Sequence, residues 1–274
     1  MKTSFEFFPP RTDQGKQTLK QVRTELSTIS PEYFSVTFGA GGTTQDATLE
    51  TVFDIQANDG VPAAPHLSCI GSEKDNIRAL LTQYKDHNIN RIVALRGDIP
   101  SGVRDIGDFH HANELVAFIR EEFGDHFHIE VAAYPESHPQ ANSIEADLQY
   151  FANKVKAGAN SAITQYFYNA DAYFRFVDDV QKLGVDVPIV PGIMPITNHT
   201  QLVRFSNLCG AEIPKWILDR LKHYEDDLEA LSAFGQDVVL DMCERLQDGG
   251  VENFHFYSMN RTEPSLAIAK ALTR

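Results

Sequence analysis

Glu6 stands between Phe5 and Phe7 in the run SFEFF over residues 4–8. In a strand, alternate side chains leave on opposite faces, so Ser4, Glu6 and Phe8 share one face and Phe5 and Phe7 the other. If the first face points into a barrel, the carboxyl is poorly hydrated. Desolvation raises a carboxylic acid's pKa, which suits a general acid near neutral pH; the plainer alternative is a surface Glu on an exposed face. Arg96-Gly97-Asp98 follows the apolar run at 91–95. Arg96 can pair with a phosphate, Gly97 admits close backbone approach and Asp98 can accept from ring N–H groups. Taken alone, the tripeptide reads more simply as a salt-bridged turn. Asp147, Tyr150 and Lys154 at i, i+3, i+7 form a polar helix face, which by default is solvated but could also edge a nucleotide site. His126 and His128 form an HxH pair, the one pattern that would suit a metal-dependent hydrolase. They precede the apolar part of their strand and so fall at the rim opposite the chemistry; surface histidines are the better reading, and no metal site is expected. Gly39-Ala40-Gly41-Gly42 is a weak phosphate signal. Phe205 and Trp216 read as core by default.

The elements that must position these residues alternate along the whole chain. Strand-like runs fall at 4–8, 33–38, 63–70, 91–95, 128–133, 161–167, 187–193 and 253–259. Helical stripes follow them: Leu19, Val22, Leu26 and Ile29; then Leu49, Val52 and Phe53 behind a Thr43/Asp46 cap; then Ile77, Leu80, Leu81 and Tyr84 behind Ser72 and Asp75. A later helix opens at Asn142 and Glu145 and turns Ile144, Leu148, Phe151 and Val155 inward. Eight strand–helix repeats predict an α/β fold, a single (β/α)8 TIM barrel over 1–274. An open doubly wound sheet needs a Gly-rich turn after its first strand, and Phe8-Pro9-Pro10 cannot supply one. In a barrel, chemistry lies at the C-terminal ends of strands. Those ends carry Glu6, Thr37, His66, Arg96 to Asp98, Tyr134 to His138, Gln165, Gly192 and Arg261, a polar ring that a purely structural barrel does not need.

Composition bounds the partners. Hydrophobic residues make up 42% and charged residues 23% of 274, a globular mixture. The net charge of −14 argues against nucleic acid and against anionic membranes. No apolar run approaches the roughly 20 residues that span a bilayer. Cys69, Cys209 and Cys243 are scattered, which predicts reduced thiols and a cytoplasmic protein.

Nine segments carry a family resemblance: SFEFFPPRT (4–12), SVTFGAGG (35–42), AAPHLSCI (63–70), ALRGDIP (94–100), VAAYPESHP (131–139), GANSAITQYFY (158–168), PGIMPITN (191–198), IPKW (213–216) and FHFYSMNR (254–261). In this order they resemble bacterial-type methylenetetrahydrofolate reductase over essentially the whole chain. The resemblance implies a (β/α)8 barrel with non-covalent FAD, reduced by NADH or NADPH, which then reduces 5,10-methylenetetrahydrofolate to 5-methyltetrahydrofolate at the same face, in a homo-oligomer. It makes Glu6 the general acid and places Asp98 beside flavin and pterin. Thr37, Phe38, Ala40, His66, Arg96, Gly97, Asp98, Ala112, Tyr134, His138, Asp147 and Lys154 fall at FAD contacts. Gln165 matches a residue shared by folate and nicotinamide, and Gln201, Phe205 and Arg261 fall on the folate side. Phe38, Tyr150 and Asn153 depart from the family's Tyr, Asn and Arg, which leaves Lys154 as the main cation on its helix. A non-catalytic flavin- or folate-binding subunit of a methyl-transfer complex is the alternative within this resemblance.

Overall fold

A computed structural model describes residues 1–38, 45–98, 107–224 and 226–273. Its strands are β1 (Lys2–Phe7), β2 (Tyr33–Val36), β3 (Ala63–Ser68), β4 (Arg91–Leu95), β5 (His128–Ala133), β6 (Ser161–Thr164), β7 (Ile189–Val190), β8 (Gly192–Ile193) and β9 (Asn253–Tyr257). All pair in parallel, in the order β7-β6-β5-β4-β3-β2-β1-β9-β8. The two ends of that order are one stretch of chain. Pro191 has no N–H to give and separates β7, which pairs with β6, from β8, which pairs with β9. The seventh expected strand, 187–193, is thus two short pieces that bridge β6 and β9 and close the barrel. The sixth ends at Thr164 rather than at 167.

Helices follow the strands as the apolar stripes predict. Among them are α1 (Asp13–Ser27), α2 (Gln45–Asn58), α3 (Lys74–Asp86), α4 (Ala112–Phe123), α5 (Ile144–Lys156) and α6 (Ala170–Lys182). After β8 come α7 (His199–Cys209), α8 (Lys215–His223) and α9 (Leu228–Asp248), and α10 (Ser265–Leu272) ends the fold. Local chemistry fixes their starts. The Thr12 hydroxyl accepts from Gly15 N at 3.0 Å to cap α1. Ser143 rather than Asn142 caps α5, accepting from Ala146 N at 3.1 Å. Neither Ser72 nor Asp75 caps α3; a remote side chain serves instead, since Lys74 N donates to Asp108 Oδ2 at 2.9 Å. The expected cap Thr43 lies outside the described residues. Ile144, expected inward, is 63% exposed at the first turn of α5, and Trp216, expected in the core, is 59% exposed on α8.

Strand alternation sorts the barrel wall. Phe5, Phe7, Phe34, Phe254 and Phe256 are fully buried in the layer between strands and helices. The other face looks into the lumen, where barrels normally pack Val, Ile and Leu. Here β1, β2, β5 and β9 instead send in Ser4, Glu6, Tyr33, Ser35, Glu130, His255 and Tyr257. No described helix is long and apolar enough to cross a membrane.

Candidate active site

Glu6 sits near the C-terminal end of β1, level with Ser35 of β2 and Tyr257 of β9. Its Oε2 lies 3.2 Å from Nε2 of His66 on β3 and 3.8 Å from Nε2 of His255 on β9. Both nitrogens are buried and lack an aligned hydrogen-bond partner, so these are charge contacts rather than hydrogen bonds of ordinary geometry. The inward direction of Glu6 matches the strand argument, but its expected pKa does not. Desolvation does push the carboxyl up. The positive field of His66, polar contacts from His255 and His66, and the field of His255 together outweigh it and pull the group down to about 2. In the ligand-free site the acid is therefore ionised at neutral pH.

Several of the other predicted residues follow the C-terminal ends of the neighbouring strands. Thr37 continues β2 beside β1, its N–H donating to Phe7 O at 2.9 Å, and Phe38 packs against the core. Ala40 lies outside the described residues. His66 is 8% exposed. After β4, Arg96 donates to Gln140 and to Gly97 O. Gly97 has φ +83°, and a Cβ there would stand 2.9 Å from Cβ of Ser68, so glycine is required twice over. Asp98 is exposed beside Arg96 and acts on the Tyr134 hydroxyl, which burial and then the charges of Asp147 and Asp98 push up to about 12.

Tyr134 and His138 meet edge to face with centroids 4.5 Å apart. Asp147 on α5 accepts from His138 N at 2.7 Å, and Lys154, two turns further along the same helix face, donates to Ala132 O. The solvated-face reading therefore fails for Lys154: burial pushes its ammonium down to about 8, against the field of Asp147. It holds for Tyr150, which is 50% exposed. Ala112 begins α4, whose first turn is held by Glu114 accepting from His110 N at 2.7 Å.

On the other side of the mouth, Gln165 follows β6 beside Tyr134 and Tyr166, its Oε1 accepting from Tyr166 N at 3.0 Å. Tyr257 donates across the lumen to Thr164 O at 2.7 Å, passing over Gly192. A Cβ on Gly192 would lie 2.1 Å from that carbonyl and 2.6 Å from the Tyr257 ring. Gln201 and Phe205 lie on α7, Gln201 exposed and Phe205 half-buried. Arg261 is exposed on the turn after β9, which Asn260 pins to the exit of β1 by bonding Phe8 N at 3.0 Å and Phe8 O at 2.9 Å. His126 and His128 go elsewhere: His126 Nε2 lies 3.2 Å from Ile89 O, and His128 Nε2 lies 2.7 Å from Ser161 Oγ at the opposite end. Among the described residues no three His, Cys, Asp or Glu side chains converge as metal ligands.

Sequence reasoning missed the column beneath Glu6. The Ser4 hydroxyl lies 2.7 Å from His255 Nδ1, Tyr33 stacks on His255 at 5.9 Å, and the Tyr33 hydroxyl donates to Glu130 Oε2 at 2.8 Å. Glu130 is 1% exposed and pairs with Arg91, whose guanidinium lies over the Tyr33 ring. The signal was present: Phe254-His255-Phe256 and Ile129-Glu130-Val131 repeat the apolar–polar–apolar pattern of Phe5-Glu6-Phe7.

A closed barrel with one carboxylate and two buried imidazoles at its mouth, rimmed by cations and aromatic rings, has the layout of a barrel enzyme, with its polar groups at the C-terminal ends of the strands. The family is fixed by comparison. The methylenetetrahydrofolate reductase family model matches residues 1–273, and the chain belongs to that family. It is 42% identical over 271 residues to the 5,10-methylenetetrahydrofolate reductase of Escherichia coli (strain K12), covering 98% of this chain and 90% of that protein. It is 36% identical over 278 residues to methylenetetrahydrofolate reductase (NADH) 1 of Arabidopsis thaliana, covering 97% of this chain and 47% of that protein. Among solved structures it resembles in fold an uncharacterized protein from Clostridium thermocellum that binds two copies of 5-methyl-5,6,7,8-tetrahydrofolic acid. The TM-score is 0.68 at 16% identity, over 99% of this chain and 94% of that one. The reaction is the reduction of methylenetetrahydrofolate.

Proposed function

We propose that residues 1–274 act as one catalytic unit that holds FAD non-covalently and reduces 5,10-methylenetetrahydrofolate to 5-methyltetrahydrofolate at the expense of NADH or NADPH. The two substrates use the same face in turn. When bound, FAD supplies hydride transfer, which no side chain of the chain can perform. The residues present fit it. Lys154 is a half-buried cation suited to a phosphate; Arg96 adds a second positive charge; and the φ +83° turn at Gly97 offers backbone where a Cβ would not fit. Thr37, Phe38, Ala40, His66, Asp98, Ala112, Tyr134, His138 and Asp147 complete that surface, and Gln165, Gln201, Phe205 and Arg261 take the folate side.

Glu6 carries the proton chemistry. Its carboxyl protonates the ring nitrogen of the substrate's five-membered ring, the bond from that nitrogen to the one-carbon unit breaks, and the resulting iminium accepts hydride. Asp98 at the rim orients the pterin. We also propose that the protein is cytoplasmic and homo-oligomeric. The observation that carries the reading is the Glu6 carboxylate facing two buried imidazoles at the barrel mouth. Its test is spectroscopic. The purified protein is expected to be yellow, to bleach on anaerobic addition of NADH and to recover its colour with methylenetetrahydrofolate. A colourless protein that flavin does not reconstitute overturns the proposal.

A further inference from the structure

Beyond the last backbone pair of β1 and β9, side chains take over the pairing. The buried Ser258 hydroxyl donates to Glu6 O at 2.7 Å. Two residues on, the Asn260 side chain brackets Phe8: its Oδ1 accepts from Phe8 N at 3.0 Å and its amide donates to Phe8 O at 2.9 Å. This bracket is made at a cost. Met259 and Asn260 both have φ +55°, a left-handed conformation that Asn tolerates and Met does not favour. Backbone strain of this kind persists where the surroundings fix it, and it gathers at ligand sites.

The residue held in this way is an aromatic ring left in the open. Phe8 is 44% exposed, whereas Phe5 and Phe7 on the opposite face of β1 are fully buried. Phe8 precedes Pro9, which keeps its backbone extended, so the alternation of β1 runs on through it. Phe8 therefore continues the face of Ser4 and Glu6, about 6.6 Å further towards the mouth along the strand. An exposed ring on a backbone fixed at both its N–H and its C=O, next to two prolines, is a rigid platform that loses little freedom when it meets a ligand.

We propose that Phe8 is a binding residue for the aminobenzoyl ring of the folate, and that Asn260 is the positioning residue that holds it. The proposal rests on the reading of Glu6 as proton donor to the folate. The product keeps its methyl group on N5, so the bond that breaks is the one from the one-carbon unit to N10. N10 carries the aminobenzoyl ring directly. A carboxyl that protonates N10 thus has that ring beside it, and the glutamate tail lies beyond. The order of the ligand, reacting nitrogen then aryl ring then carboxylates, matches the order Glu6, Phe8, Arg261 from the lumen to the turn after β9. Two aromatic rings attract beyond the area they bury, which a branched aliphatic side chain does not reproduce.

The test is calorimetric, on the holoenzyme, with two ligands. One is 5-methyltetrahydrofolate; the other is 5,6-dimethyltetrahydropterin, which keeps the fused rings and lacks the aminobenzoylglutamate. Phe8→Leu is expected to weaken the folate by about three- to tenfold and to leave the pterin unchanged. The loss should not shrink as salt is added, since no charge is involved. Phe8→Tyr, which keeps the ring, should restore the affinity. The rate at which NADH bleaches the flavin should not change, and it reports that the variant is folded and loaded. Asn260→Ala should weaken the folate in the same direction, and by less when Phe8 is already Leu than when Phe8 is present. Equal losses in the two backgrounds overturn the role of Asn260. An unchanged folate affinity in Phe8→Leu, or a loss shared by the pterin or by NADH, overturns the role of Phe8. If instead Glu6→Gln still reduces the folate, the reading of the acid falls, and the two-ligand comparison still decides whether Phe8 meets the aryl ring.

Discussion

The two ends of the barrel lumen hold similar residues in opposite conditions. At the N-terminal end of the strands, Glu130, Arg91, Tyr33, His128 and Ser161 are mutually satisfied: both Glu130 oxygens and the phenol have partners. At the mouth, Glu6 faces two imidazole nitrogens without aligned hydrogen bonds, and Ser35 Oγ, level with Glu6, is also unpartnered. Buried polar groups are normally paired because leaving one unpaired costs about 1–3 kcal/mol. The N-terminal end obeys that rule and reads as structure. The mouth breaks it where a substrate would supply the missing partners. Position along one lumen thus separates a carboxylate that stabilises the fold from the one proposed to react.

Exchanging each carboxylate should reveal this division most plainly. Glu6→Gln keeps the shape of the side chain and removes the proton it can donate. It is expected to cut methylenetetrahydrofolate reduction by about 10²–10⁴-fold while NADH oxidation and thermal stability stay near wild type. Glu130→Ala is expected to do the reverse. It leaves the half-buried Arg91 guanidinium and the buried Tyr33 hydroxyl without their partner and should lower stability by about 3 kcal/mol in urea unfolding. A Glu130→Ala protein that is stable but inactive, or a Glu6→Gln protein that is active but unfolds easily, would break the comparison.

Lys154 sharpens it, because it is a half-buried charge with only a carbonyl for a hydrogen-bond partner. Its folded pKa of about 8 lies below the ordinary lysine value of 10.5. The lowered value means that burial of the ammonium destabilises the empty protein in full below about pH 8, and that this penalty fades as pH rises towards 10.5. A diphosphate would restore the higher pKa, so FAD binding between these limits should take up a proton, and below about pH 7 it should not. Calorimetry in buffers of different ionisation enthalpy measures the uptake. Lys154→Met is expected to abolish it, weaken FAD by about tenfold or more and stabilise the apoprotein. FAD binding with no proton uptake near pH 9 would remove the phosphate role of Lys154.

The sequence made the architecture and half of the site visible for one physical reason. Strand alternation and helical stripes are local signals, and both survive in Phe5-Glu6-Phe7 and in Leu19, Val22 and Leu26. What stayed hidden depends on contacts between distant strands. Tyr33 reaches Glu130 across 97 positions and Ser4 reaches His255 across 251, so no spacing rule connects them. The pKa of Glu6 was misread for the same reason. Burial was legible from its neighbours, whereas the imidazoles that reverse its effect arrive from β3 and β9. Pro191 dividing the seventh strand was legible as a residue but not as the point of closure, which requires knowing that β6 and β9 lie on either side of it.

The smallest effect should come from the part of the mouth furthest from the lumen. Arg261 is exposed, makes no ion pair among the described residues and sits on a turn whose backbone is fixed through Asn260 to Phe8. Its guanidinium is free to meet a carboxylate of the folate's glutamate tail, but it would do so in water. Exposed ion pairs contribute about 0.2–1 kcal/mol, against several times that for buried ones. Arg261→Ala should therefore raise the KM for methylenetetrahydrofolate by only about two- to fivefold, with the KM for NADH and kcat unchanged and the effect shrinking as salt is added. An unchanged folate KM removes the residue from the site. A loss of a hundredfold would mean that the guanidinium is desolvated in the complex, and the division between a wet rim and a poorly hydrated axis would have to be redrawn.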